Sequence, residues 1–256
     1  MSKLRALYLL LLKKFLGGKI TTLTVMNGPL KGYRWHFNNR TNNEMILGTW
    51  EPEMQDIFSR YLKPGHVVYD LGAHQGFLTA LAGKHVGKAG KVYAFEPFPY
   101  NFNFLRDNIQ LNKPDNITLF QAAVSDKPGT LEFSNSIHDT ANTYLKQSPE
   151  FKDNLLQVET ASLDNLIDTK KILPPDFIKI DVEGAELDVL HGAQKMFSSH
   201  SPVVYLETHN VHNAGVDQQC LDWLNAKGYT IRETIAIRPN REMCSYVLTR
   251  DNKTHN

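Results

Sequence analysis

The sequence predicts an α/β fold: a mainly parallel sheet with helices on both faces, preceded by an N-terminal helix and a small β-hairpin unit. Three observations carry this. Beyond residue 64, short apolar runs alternate with segments of helical periodicity, the pattern of strands joined by crossover helices. The first of those strands runs into a glycine-containing turn, Gly72-Ala73-His74-Gln75-Gly76, that opens a helix. And 256 residues, 41% hydrophobic and 10% aromatic, suffice for a sizeable core.

Taken in order, Leu4, Leu7, Tyr8, Leu11, Leu12 and Phe15 share one helical face, and Gly17-Gly18 ends that helix. Two readings of residues 1–19 stand. The helix packs on the main domain or on a sister subunit of a homo-oligomer, or it lies as a basic amphipathic helix on an anionic membrane surface. The apolar run 6–12 falls far short of the ~20 residues a bilayer span requires. Lys13-Lys14 stand where a signal peptide would have its small-residue cleavage site, so the chain is expected in the cytoplasm, at most peripheral to a membrane. Residues 20–63 form an annex. Segments 20–25 and 33–37 alternate around Asn27-Gly28-Pro29 as a hairpin, and Pro52 starts a helix reaching about residue 62.

Residues 64–256 form the main domain. Strands are predicted at 67–71, 92–95, 117–120, 177–182 and 203–206, helices at 75–85, 99–111, 185–197 and 220–227, and closing strands at 229–233 and 245–249. The polar stretch 134–157, rich in Ser and Asn, reads as a long surface insertion.

The net charge of +1 conceals an asymmetry. Residues 1–43 carry eight Lys/Arg and no acid, which leaves 20 basic against 27 acidic side chains in the remainder, a net of −7. That balance excludes a generally basic nucleic-acid binder. Cys220 and Cys244 make neither a disulfide framework nor a CxxC zinc site.

The chemistry concentrates at predicted strand ends. Asp70 ends the first strand of the main domain, just before Gly72, and Glu96 ends the second, 24 residues beyond Gly72. An acid there suits the hydroxyls of a ribose, and both motifs face the crevice at the carboxyl ends of the strands. A dinucleotide would need GxGxxG for its pyrophosphate, which Asp70 would repel. S-adenosylmethionine has no phosphate and carries an ammonium and a sulfonium, so the acidic strand end favours it.

At these residues the sequence resembles the FkbM-type family of S-adenosylmethionine-dependent methyltransferases. The resemblance covers roughly residues 45–210. It rests on Asp70-Leu71-Gly72-Ala73-His74-Gln75-Gly76, Phe95-Glu96-Pro97 with Asn101, Ala123-Val124-Ser125-Asp126, and Ile178-Lys179-Ile180-Asp181-Val182-Glu183-Gly184-Ala185-Glu186. His74-Gln75 depart from the Asn-Ile pair common in the family. The resemblance implies a class I methyltransferase (Rossmann-like) sheet of seven strands with the last antiparallel. It also implies cofactor contacts: Asp70, Gly72, Ala73, His74 and Gly76 around the methionine, Glu96 and Pro97 at the ribose, Ala123 and Val124 near the adenine, and Asp181 beside the methyl. It further suggests a role for Gly48-Thr49-Trp50-Glu51-Pro52-Glu53 near cofactor or acceptor. Those residues read equally well as a helix start, with Pro52 and acids in the first turn.

Asp181 and Glu207-Thr208-His209-Asn210 end neighbouring strands. Lys179, on the same strand as Asp181, needs a carboxylate partner such as Asp181 or Glu207 if it is buried, and such a pair could simply hold the sheet end. Methyl transfer asks the protein to align an oxygen nucleophile and remove its proton. His209 is one candidate base and Asp181 the other. A divalent ion on Asp181 and Glu207, with His209 or Asn210, is a third arrangement. The expected function is O-methylation of a hydroxyl on a sugar, glycan or glycosylated natural product. The acceptor is thus a small molecule or glycan, not nucleic acid. The alternatives are N-methylation, or a membrane-associated module that binds S-adenosylmethionine without turnover.

Overall fold

A computed structural model describes residues 3–134 and 155–250. Helix α1 (Lys3–Leu16) leads into the antiparallel hairpin β1 (Thr21–Thr24) and β2 (Arg34–Phe37), then α2 (Asn43–Leu47) and α3 (Pro52–Tyr61). Alternation follows with β3 (Val67–Leu71), α4 (Phe77–Val86), β4 (Lys91–Phe95), α5 (Pro99–Asn112) and β5 (Ile117–Phe120). A separate small sheet holds β6 (Ala123–Val124), β7 (Gly129–Ser134) and β8 (Leu155–Ala161). The chain returns through α6 (Leu163–Asp168), β9 (Phe177–Ile180), α7 (Glu186–His191), α8 (Gln194–Ser199) and β10 (Val203–His209). It closes with α9 (Val216–Ala226), β11 (Tyr229–Ile237) and β12 (Met243–Arg250).

The main sheet has the order β11-β12-β10-β9-β3-β4-β5. The strands from β10 to β5 run parallel, and β12, the last in the chain, is antiparallel to both its neighbours. Strand order reverses between β3 and β9, so their carboxyl ends flank the crevice where such sheets bind ligands. One sheet face shares a core with the N-terminal elements: Leu9, Trp35, Phe37, Met45 and Phe58 join Val68, Phe77, Leu81 and Phe177. The other face packs Tyr69, Leu71, Ile178 and Ile180 against Val189, Phe197 and Leu224. The hairpin is tied to α5 by side chains: Asn108 Oδ1 accepts from His36 N at 2.8 Å and Asn112 Oδ1 from Arg34 N at 2.9 Å. Asn108 Nδ2 in turn donates to Gln75 O at 3.0 Å, which couples the annex to the glycine turn.

Several expectations change. Among the described side chains of α1 Leu9 is buried, with Leu12 and Leu16 packed beside it, while Leu7, Tyr8, Leu11 and Phe15 of the predicted apolar face are exposed. The run 6–12 of this helix is apolar without a break, so periodicity could not choose a side. The single helix predicted over 185–197 is two, α7 and α8. A Cβ on Gly192, between them, would stand 2.1 Å from the Ser125 carbonyl oxygen, and Gly192 O accepts from Asp164 N. Close packing of the loop after β6 and of α6 therefore breaks the helix. The predicted insertion 134–157 begins and ends in paired strands, Ser134 opposite Leu155, and its residues 135–154 lie outside the described ones. Strand β10 runs on to His209 because β12 pairs with it through Met243. The short helices α2 and α6 escaped prediction. Each spans too few turns for a period, although Asn42 and Ser162 cap them.

Candidate active site

Gly72 (φ +83°) lets the ends of β3 and β9 meet: a Cβ there would stand 1.8 Å from the Asp181 carbonyl oxygen. Above this contact opens a cavity of about 300 Å³. Asp70, Gly72, Ala73 and His74 line it from the glycine turn, and Glu96 and Pro97 from the end of β4. Ala123 and Val124 enter from the small sheet, and Lys179, Asp181 and Glu207 from β9 and β10. Two predicted residues stand apart. Gly76 caps α4 against Leu105, whose Cδ1 would lie 2.5 Å from an added Cβ, and His209 sits behind Asp181 and Glu207.

Lys179 is the buried hub. Its Nζ donates to Gly72 O at 3.0 Å and lies 3.1 Å from Asp181 Oδ2 and 3.3 Å from Asp70 Oδ1. Burial opposes its charge, but Asp181, Asp70 and Glu51 outweigh burial and hold its pKa above the usual lysine value. Asp70 also accepts from Thr79 Oγ1 at 2.6 Å, so its carboxylate is engaged within the protein. Burial raises Asp181 in spite of Lys179, whereas donors from His209 and Tyr205 lower Glu207 against its burial.

The Glu96 carboxylate is aimed by two amides: Oε2 accepts from His74 N at 2.8 Å and Oε1 from Phe98 N at 3.0 Å. Burial nonetheless pushes it up to about 7, with those amides and Asn101 opposing. His74 holds φ +50°, and burial takes its imidazole down to about 4, so the ring is neutral.

His209 differs from the expected neutral base. Its Nδ1 lies 2.9 Å from the fully buried Glu186, which also accepts from Gly184 N. Its Nε2 faces Glu183, Glu207 and Asp181 at 3.5, 3.6 and 3.8 Å. Burial disfavours the imidazolium, but these carboxylates overcome it and raise His209 to about 11. At neutral pH it is a proton donor. Asp181, Glu207 and His209 each offer a ligand atom within 4.8 Å of the others, enough to hold a metal ion geometrically. Two cations, Lys179 and the imidazolium, already occupy the places beside Asp181.

Sequence reasoning left Trp50 and Glu51 undecided, and both line the cavity. The helix-start reading holds, since Pro52 opens α3 and Glu51 is its N-cap residue with Glu51 O accepting from Gln55 N, but at φ +46° the Glu51 side chain makes no cap and lines the cavity instead. Burial and the neighbouring acids push it up to about 8, with Lys179 pulling the other way. Glu183 and Glu186 were visible only as members of a motif.

A seven-stranded sheet whose last strand is antiparallel, with an acidic glycine-turned crevice at its carboxyl ends, defines the class I methyltransferase fold. Solved structures share it. Methyltransferase FkbM from Methylobacillus flagellatus KT gives a TM-score of 0.50 at 19% identity, over 80% of this chain and 52% of that one. P. horikoshii TYW2 in complex with MeSAdo gives 0.50 at 14% identity, over 91% and 70%. The methyltransferase FkbM domain matches residues 70–231, and the chain belongs to that family. Similar curated proteins include hexuronic acid methyltransferase AglP of Haloferax volcanii, 30% identical over 166 residues, 64% of either chain. The 2-O-methyltransferase NoeI of Sinorhizobium fredii is 28% identical over 155 residues, 55% of this chain and 63% of its own. The chain spans just under two thirds of the length of both relatives.

Proposed function

We propose that the chain is an S-adenosylmethionine-dependent methyltransferase acting on a hydroxyl of a sugar or glycan. The observation that carries this reading is the surplus of acid around one buried ammonium: Glu51, Asp70, Asp181 and Glu207 share the cavity with Lys179. A cationic ligand would favour the ionised form of these carboxyls, and the ammonium and sulfonium of the cofactor would provide that charge. The same acids would repel a pyrophosphate. The residues present fit the cofactor's other parts: Glu96 for the ribose hydroxyls, Phe95, Ala123, Val124 and Leu131 as an apolar wall for the base. The names of AglP and NoeI, a hexuronic acid methyltransferase and a 2-O-methyltransferase, support a sugar hydroxyl as acceptor.

When bound, the cofactor supplies a methyl already activated on sulfur. The protein's work is alignment and proton removal. Asp181, raised by burial and facing the cavity, accepts the acceptor's hydroxyl proton. Lys179 and His209 hold its carboxylate from either side, and Glu186 fixes the His209 ring. His209 is thus a positioning residue, and no metal is needed to orient the acceptor. Glu96→Ala is expected to weaken S-adenosylhomocysteine binding roughly tenfold or more, because two aimed acceptor oxygens disappear. Calorimetry showing unchanged affinity would remove the ribose assignment.

A second reading concerns α1. Leu7, Tyr8, Leu10, Leu11 and Phe15 are exposed, Phe15 at 87%, with Lys14 and Lys19 exposed beside them and no acid in residues 1–43. An apolar row flanked by lysines complements an anionic lipid surface. No helix among the described residues is long and apolar enough to cross a membrane. The intact chain is expected to sediment with phosphatidylserine vesicles and not with phosphatidylcholine ones. Leu11→Glu with Phe15→Glu should abolish this. Failure of the intact chain to bind, together with a dimer in solution, would assign the row to a second copy instead.

A further inference from the structure

Beside the main cavity lies a second one, also about 300 Å³, whose walls include Lys13, Arg40, Asn42 and Asn43. Trp50 and His74 line both cavities, their rings stacked at 6.5 Å and 22°, and so form the partition between them. The two chambers have opposite character, since the first is walled by carboxyls and the second by cations.

Neither cation has an acidic partner among the described residues. Lys13 is half-buried over the Phe37 ring at 5.6 Å, and burial lowers its pKa. Arg40 is exposed and lies over the Tyr100 ring at 5.1 Å. Two positive groups at one concave site, with no carboxylate to satisfy them, attract an anion. A second deficit lies beside them: Asn43 Oδ1 is buried without a hydrogen-bond donor, and the Asn42 side chain is occupied in capping α2 at Glu44 N. A buried acceptor without a donor is costly, and a ligand hydroxyl would satisfy it. The Trp50 face adds a flat apolar surface of the kind that packs a sugar ring.

We propose that this second cavity is the acceptor subsite, and that the acceptor is a sugar carrying an anionic group, a carboxylate or a phosphate monoester. Lys13 and Arg40 hold the anion, Asn43 takes a hydroxyl, and the ring crosses the Trp50–His74 partition so that another hydroxyl enters the acidic chamber. The assignment rests on the methyltransferase reading above and narrows its substrate class. It also gives the N-terminal basic segment a place in the site: Lys13 flanks the buried side of α1 and makes the helix one of the subsite's walls.

The test titrates the full chain, saturated with S-adenosylhomocysteine, with methyl β-D-glucuronide, glucose 1-phosphate and the neutral methyl β-D-glucoside. The charged probes are expected to bind at least tenfold more tightly than the neutral one, and more weakly as salt rises. The tighter of the two identifies carboxylate or phosphate. Lys13→Gln and Arg40→Gln should each weaken the charged probes about tenfold, leave S-adenosylhomocysteine affinity unchanged, and leave the neutral probe unaffected, while Lys13→Arg restores binding. Equal affinity for charged and neutral probes, no binding of either charged probe, or no effect of the Gln variants would overturn the subsite. Absence of S-adenosylhomocysteine binding by the intact protein would instead strike the methyltransferase reading.

Discussion

Replacing Asp181 with Asn is expected to lower kcat by about 10²- to 10⁴-fold, the range over which a positioned proton acceptor contributes. The affinity for S-adenosylhomocysteine should change less than tenfold, since the ribose and base contacts lie elsewhere. A competing role is plain in the geometry. Asp181 Oδ2 stands 3.1 Å from the buried Lys179, and the pair could serve only to hold the ends of β3 and β9. A purely structural ion pair predicts a different result: a lower Tm with kcat within tenfold of the parent. The pH profile separates Asp181 from His209. A neutral imidazole acting as base would impose an inflection near its ordinary value of about 6.5. With His209 raised to about 11, the imidazole stays charged through the neutral range and the acid limb instead belongs to the Asp181 carboxyl, so a limb that persists unchanged in Asp181→Asn would contradict the assignment. A chelator should leave the rate unchanged.

Glu51→Gln carries the second large effect, on the protons that accompany cofactor binding. Burial and like charges push Glu51 up to about 8, so the free protein holds it protonated at pH 7. A cationic ligand favours the ionised carboxylate, so binding expels that proton and affinity rises with pH, approaching tenfold per unit below 8. Calorimetry at pH 7 in buffers of different ionisation enthalpy should find the wild type releasing about one proton more per cofactor than Glu51→Gln. Equal release by the two would remove Glu51 from the site. Stability moves in the opposite sense. A carboxyl whose folded pKa is raised favours the native state at low pH, and that stability is lost as pH climbs from the usual carboxylate range through about 8. Glu51→Gln should therefore raise Tm by a few degrees at pH 9 and have little effect at pH 4, by the scale of about 2–4 °C per kcal/mol for a chain of this length.

The sheet was legible because its strands are short apolar runs punctuated by glycine turns, and the order of those runs leaves few topologies open. The acids at strand ends were legible for the same reason, since Asp70, Glu96 and Asp181 each close an apolar run. What could not be read depends on convergence from distant segments. His209 receives Asp181, Glu183 and Glu186 from one distant stretch of chain and Glu207 from its own strand, and only their meeting turns an ordinary histidine into a persistent imidazolium. Glu51 reads as part of a helix start, which it is, but its place in the cavity wall depends on Asp70, Lys179, Asp181 and Glu207 from elsewhere in the chain. Likewise α1 presents apolar residues on all sides, so burial of Leu9 and exposure of Phe15 follow from the surface it meets, not from its own pattern.

The central claim is methyl transfer from S-adenosylmethionine to oxygen on a sugar. The most direct measurement supplies cofactor with a ¹³C-labelled methyl group to the full chain, with the neutral and anionic sugars above and an amine panel, and follows product by mass spectrometry and carbon NMR. The predicted result is S-adenosylhomocysteine formed in step with a labelled methyl on a sugar oxygen. Label on nitrogen, or saturable cofactor binding with no labelled product from any acceptor, would contradict it.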